Sequence, residues 1–135
     1  MFAEMGFPED SLAAMDREAL PYFLQAFADA TYHHWFIDRG NGVQTGVAAG
    51  AGVSLNRFYP GPRDPRPQRA WILNVYTERD CRRQGMARKL VETAIDWCRH
   101  NGIRSVYLHA SQYGMSLYES LGFVSSNEMR LDLGP

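Results

Sequence analysis

The stretch Ala70–Asn101 constrains the fold more than any other part of the chain. Ala70-Trp71-Ile72-Leu73-Asn74-Val75-Tyr76-Thr77 is rich in β-branched and aromatic residues and apolar at both parities. That pattern predicts a central strand buried on both faces. A polar bend, Glu78-Arg79-Asp80, leads into Cys81-Arg82-Arg83-Gln84-Gly85. The apolar residues that follow, Met86, Leu90, Val91, Ala94, Ile95, Trp97 and Cys98, recur at offsets of three and four. They mark a helix with one buried stripe, ending at Asn101-Gly102, where a left-handed terminus is tolerated.

A helix start leaves backbone N–H groups without intrahelical partners, at the positive end of the helix dipole. Gly85 lets a ligand approach the main chain, and Arg82, Arg83 and Arg88 add charge. The turn therefore reads as an anion site. Neither a phosphate-binding Gly-x-x-x-x-Gly-Lys-Ser/Thr loop nor a dinucleotide-binding Gly-x-Gly-x-x-Gly turn is present.

Composition narrows the rest. At 135 residues with 45% apolar residues, residues 1–135 make one domain with its own core, and a net charge of −1 gives no global attraction to nucleic acid or anionic membrane. The cluster Arg79, Arg82, Arg83, Arg88 and Lys89 is thus a local feature. Cys81 and Cys98 have neither metal nor disulfide-framework spacing, and Cys98 falls on the buried stripe. With no signal peptide and no apolar run of membrane-spanning length, the expected location is the cytoplasm.

Upstream, Met1–Pro8 resembles the tail of a helix. Asp10 or Ser11 can cap a helix reaching about Ala30, with Leu12, Met15, Leu20, Phe23, Leu24 and Phe27 on one face; Pro21 predicts two short helices or a kink. Thr31–Asp38 reads as a strand, Arg39–Gly42 as a hairpin turn and Val43–Leu55 as the returning strand, softened or bulged by Gly46, Gly50 and Gly52. His33 and His34 point to opposite faces and cannot chelate one metal together; they read as polar residues of an edge strand. The Pro- and Arg-rich segment from Asn56 to Arg69 reads as an exposed loop, either a connector or a substrate-shaping element. Arg104–Ala110 is the next strand, parallel to the first through a right-handed helical crossover, and Val124–Leu133 supplies a final strand or two. Alternating strands and helices make the chain α/β with a mixed sheet.

Arg82-x-x-Gly85-x-Ala87 matches the Arg/Gln-x-x-Gly-x-Gly/Ala signature of the GNAT N-acetyltransferases. Leu117-Tyr118-Glu119-Ser120-Leu121-Gly122-Phe123 is similar to that family's Leu-Tyr-x-x-x-Gly-Phe segment. The resemblance implies the acyl-CoA N-acyltransferase fold, a mixed central sheet whose parallel strands splay, here without the family's usual first strand. It implies acetyl-CoA as cofactor. The pantetheine arm would pair with Val75, Tyr76 and Thr77, and the pyrophosphate would meet Arg82, Arg83, Gln84, Gly85, Met86, Ala87 and Arg88. Ser111 would stand where the family often has Asn beside the pantetheine arm, and Tyr118 would protonate the leaving sulfur.

The implied reaction is direct acetyl transfer to a primary amine, on a small molecule or an exposed protein amino group. Where some relatives carry a carboxylate base early in the central strand, this chain has Trp71. Asn74, Tyr76, Glu78, His109 and Glu128 are the remaining candidates, beside a water chain. A non-catalytic CoA-binding regulatory module is the alternative. Without a preceding strand, Tyr32–Asp38 would be a bare sheet edge, so a homodimer is expected to cover it.

Overall fold

The computed structural model describes residues 1–40 and 46–135. Four strands, β1 (Tyr32–Asp38), β2 (Val47–Arg57), β3 (Gln68–Thr77) and β4 (Val106–Leu108), form one sheet in the order β1-β2-β3-β4. The first two pairings are antiparallel and the third is parallel, so the sheet is mixed and β3 lies inside it. Three helices accompany it: α1 (Glu9–Ala28), α2 (Met86–His100) and α3 (Met115–Ser120), with short 3-10 turns at Phe2–Met5 and Arg79–Cys81. The outer edge of β1 carries no further strand among the described residues.

Helix α2 is the crossover between β3 and β4, and its spacing does what the sequence predicts. Leu90, Val91, Ala94 and Cys98 are buried at helical intervals against one face of the sheet. Val53, Ala70 and Ile72 meet Val91, Ala94, Cys98 and Ile103 there, and Ala49 and Ala51 meet Leu90. The residues alternating with these, Tyr32, His34 and Phe36 of β1 and Gly50, Gly52 and Ser54 of β2, pair across the ladder on the opposite face.

Three expectations change. Helix α1 is continuous from Glu9 to Ala28 with Pro21 inside it, and it begins behind Pro8 without a side-chain cap. Proline removes one backbone donor, but the helix lies on the surface, where water satisfies the freed carbonyl. None of its expected apolar face is buried, Ala26 being the buried residue of the helix, and Leu20 and Leu24 stay more than 60% exposed. Second, no strand forms among the described residues after α3. Met129, Leu131 and Leu133 alternate with polar residues as a strand would, yet they are exposed, because an extended segment becomes a strand only by joining a ladder.

Third, the Pro- and Arg-rich loop is anchored. Asp64 and Arg69 are buried: Ser105 Oγ donates to Asp64 Oδ2 at 2.6 Å, and Arg69 donates to the carbonyls of Asp64, Arg66 and Gln68. This loop joins the end of β2 to the start of β3, roughly 30 Å along the strand from Thr77. It is a locked connector at the far end. The predicted hairpin turn falls partly on residues 41–45, outside the described ones, while Arg39 N–H donates to Gly46 O at its base.

Candidate functional site

The β3–β4 ladder covers only Ala70↔Val106, Trp71↔Tyr107 and Ile72↔Leu108. β3 continues to Thr77 while β4 ends at Leu108, so the edge of Leu73–Thr77 that faces away from β2 lacks a strand neighbour among the described residues. The open edge runs into the turn that starts α2. Gly85 is the N-cap with φ 77°, Arg83 has φ 62°, and no side chain caps the helix. Lys89 N–H makes the first-turn bond to Gly85 O, leaving the amides of Met86, Ala87 and Arg88 pointing beyond the helix end. Arg82, Arg83, Gln84, Gly85 and Arg88 are exposed around them; Met86 and Ala87 are half-buried.

Arg82 is held rather than loose. Its Nε donates to Thr77 O at 2.9 Å, its Nη2 to Glu4 Oε2 at 2.7 Å, and its guanidinium lies over the Tyr76 ring. Tyr76 in turn donates to Glu4 Oε1 at 3.0 Å. The two donors to Glu4 hold its carboxyl below the usual carboxylate range, the Arg82 hydrogen bond most of all.

Tyr118 stands on α3, beside the same end of α2. Arg88 Nη2 donates to Ser120 Oγ at 2.7 Å, tying the first turn of α2 to the last residue of α3. The Tyr118 ring packs edge-on to Phe123 and against the main core, and burial pushes its hydroxyl above the ordinary phenol range. It therefore stays protonated at neutral pH. A Cβ on Gly114 would lie 2.7 Å from Tyr118 Cε2, so the ring sits directly on the glycine. Ser111 is exposed in the turn that leads to α3, its carbonyl accepting Gly114 N–H. Val75 turns its side chain into the core, leaving its main chain at the open edge.

On the sheet face away from α2, an open pocket of ≈ 210 Å³ lies against β1, β2 and β3. It is lined by Met1, His34, Phe36, Val47–Gly50, Asn74, Tyr76 and Glu78. Between the pairs Gly50↔Tyr76 and Gly52↔Leu73 the single residue Ala51 faces two residues of β3, Asn74 and Val75, a β-bulge in β3 at which Asn74 takes φ 55°. The bulge turns Asn74 toward this pocket, where its Nδ2 donates to Tyr32 Oη at 3.0 Å. Tyr32 Oη lies 2.8 Å from His34 Nδ1. His34 is half-buried, and desolvation holds its imidazole below the ordinary histidine range.

Of the candidate bases, Asn74, Tyr76 and Glu78 share this pocket. His109 and Glu128 lie 3.9 Å apart in solvent. Trp71 stacks on Tyr107 at 5.0 Å between ring centroids. The sequence reads His34 as a polar residue of an edge strand and does not single it out; the available signal is its alternation with Tyr32 and Phe36 opposite Gly50 and Gly52. His33, on the other face, packs on Trp97 as a structural residue.

Among the described residues no group of acidic, His and Cys side chains could hold a metal, and no helix is long and apolar enough to cross a membrane. The sequence profile of the acetyltransferase (GNAT) family matches residues 4–123. A GCN5-related N-acetyltransferase from Ralstonia eutropha JMP134 superposes with a TM-score of 0.90 at 30% identity, covering 98% of this chain and 85% of that one. A predicted acetyltransferase from Clostridium acetobutylicum, crystallised with acetyl-CoA, gives 0.81 at 25% identity over 88% of this chain and 75% of that one. The Xenopus laevis protein named probable N-acetyltransferase camello is 36% identical over 59 residues, which is 42% of this chain and 27% of that protein. The match thus spans about a quarter of the curated relative's length. With its family profile match, its short parallel pairing, its uncapped glycine turn and the tyrosine helix beside it, the chain belongs to the GNAT acetyltransferase family.

Proposed function

We propose that the protein is an acetyl-CoA-dependent N-acetyltransferase that transfers acetyl to a primary amine, of a small molecule or an exposed protein amino group, in the cytoplasm. The observation that carries this reading is the convergence of an unpaired strand edge, an uncapped helix start and a half-buried protonated phenol. The residues fit the cofactor. Met86, Ala87 and Arg88 offer amides to a diphosphate, with Arg83 and Arg88 supplying charge. The main chain of Val75, Tyr76 and Thr77 offers donors and acceptors to an amide-bearing arm, as an edge strand does to any extended partner. When bound, acetyl-CoA supplies an acetyl group activated as a thioester.

The chain's own residues then have three tasks. Main-chain N–H near Val75 polarises the carbonyl, an effect worth roughly 3 kcal/mol for such donors. Tyr118 gives its proton to the departing sulfur. The pocket beyond the bulge holds the amine, with Glu78 as the carboxylate among its described lining residues, where an ammonium is attracted and loses its proton to the carboxylate or to water.

Isothermal calorimetry with coenzyme A tests the cofactor, and thiol release from acetyl-CoA across an amine panel tests the reaction. Binding with release that falls in Tyr118→Phe supports an enzyme. Binding without release for any amine supports the CoA-binding module, a reading favoured by Trp71 being locked in a ring stack where a carboxylate would serve. No heat with coenzyme A removes both.

A further inference from the structure

The acceptor pocket contains a hydrogen-bond chain that the reaction above does not use. Tyr32 is 3% exposed, so its hydroxyl cannot turn to water. Its oxygen receives Asn74 Nδ2–H, and its own proton needs an acceptor; His34 Nδ1, at 2.8 Å, is the atom in place. A buried hydroxyl proton left unbonded would be costly, so the Nδ1 lone pair is committed to Tyr32. A neutral imidazole with Nδ1 accepting carries its proton on Nε2.

That Nε2 has a defined seat. A Cβ on Gly50 would lie 2.6 Å from it, and one on Gly52 would collide with the Tyr32 hydroxyl. The glycines of β2 thus clear space for the chain, and the bulge that sends Asn74 to this face supplies its other end. Three strands cooperate to hold one N–H donor beside an otherwise apolar floor of Phe36, Val47, Ala48 and Ala49.

Resting on the acetyltransferase reading, we propose that His34 is a specificity residue: its Nε2–H binds an oxygen on the acceptor, which is a primary amine carrying a carbonyl or carboxylate on an apolar body. Tyr32 and Asn74 are positioning residues that fix the tautomer. The ionisable groups that touch the ring or line this pocket are Tyr32 on its own strand, Tyr76 on β3 and Glu78 just past the end of β3.

Long-range 1H–15N NMR of the labelled, ligand-free protein reads the tautomer directly. At neutral pH His34 is expected as the Nε2–H form, becoming a tautomeric mixture in Tyr32→Phe; an Nδ1–H form in the parent protein overturns the proposal. Titrating acetate and acetamide separately is expected to move the His34 Nε2–H signal with at least one, which identifies the oxygen as anionic or neutral; movement with neither overturns it. In the thiol-release assay, amines bearing a carboxylate or amide should exceed n-alkylamines of equal length by about tenfold in kcat/KM, the size expected for one hydrogen bond. His34→Phe should erase that preference through KM and His34→Gln, which keeps an N–H, should restore part of it. A preference untouched by His34→Phe, or a loss confined to kcat with a shifted acid limb, would overturn the assignment. Coenzyme A calorimetry on the same samples shows separately whether the acetyltransferase reading stands.

Discussion

Gly114→Ala tests the placement of Tyr118 without touching its chemistry. Gly114 has φ −95° and ψ −13°, a conformation alanine adopts readily, so the backbone carries no new strain. The new Cβ would nevertheless lie 2.7 Å from Tyr118 Cε2 and 3.3 Å from Cζ, where ordinary contact starts at 3.4 Å. The ring must therefore retreat by about 0.7 Å, against Phe123 and the core. Overpacking of this kind costs about 1–3 kcal/mol of stability. A displacement of nearly 1 Å at a proton donor costs about 10- to 100-fold in rate. The control is Gly122→Ala, at φ 94° with nothing near the added Cβ, which strains the chain by about 1 kcal/mol without pushing the ring. Thermal unfolding and thiol release from acetyl-CoA are measured on both. Equal stability losses with rate lost only in Gly114→Ala is the expected result. If both variants lose rate in proportion to stability, or Gly114→Ala keeps the parent rate, the position of this phenol is not what the reaction depends on.

Other tests are independent of that one. Tyr118→Phe should lower thiol release by about 100-fold, and because burial raises the parent phenol's pKa, the alkaline limb of the parent profile should lie above the ordinary tyrosine range. Val91→Ala, at a fully buried site on α2, should cost about 2–3 kcal/mol in urea unfolding. Asp80 accepts two bonds from Arg39, at 2.7 and 3.0 Å, which lowers its pKa. Its contribution is therefore full above the usual carboxylate range and lost as pH falls through the lowered value, so Asp80→Asn should flatten the acid side of the stability profile. Cys98 is 1% exposed with its thiol pushed up to about 11, so a thiol reagent should label Cys81 alone in the folded protein and both after denaturation. The outer edge of β1, unpaired among the described residues, and the apolar residues exposed on α1 lead us to expect a dimer by light scattering; a monomer across the accessible concentrations would refute it.

What the sequence made legible follows from how local each signal is. The stripe Leu90, Val91, Ala94 and Cys98 is a periodicity inside one helix, and Gly85 with Arg82 is a turn; both were readable because their physics needs no distant residue. The single long α1 was not, since Pro21 breaks helices on average and only the surface setting makes it tolerable here. The missing final strand was not readable either: Met129, Leu131 and Leu133 have the alternation, but pairing is decided by whether an edge is available. His34 was hidden for the same reason. Its neighbours Tyr32 and Asn74 lie 42 residues apart in sequence and meet only because the β2 glycines bring β1 and β3 into register around them.

The bulge at Asn74 links the two halves of the site. Before it, β3 alternates in the ordinary way, with Ala70 and Ile72 facing α2 and pairing with β4. At the bulge one residue is spent without reversing direction, so Leu73 and Asn74 break the alternation and Val75 returns to the α2 side. A β-bulge also increases local twist, and the ladder to β4 ends one residue earlier, at Ile72. The same irregularity thus turns a polar side chain into the pocket proposed for the acceptor on one face and accompanies the opening of the strand edge where a thioester arm would lie. Removing it should affect both functions at once. Deleting Asn74 would restore the simple alternation, and the expected outcome is loss of coenzyme A heat together with loss of the His34 tautomer signature. Loss of one with the other intact would show that the pocket and the open edge are separately built.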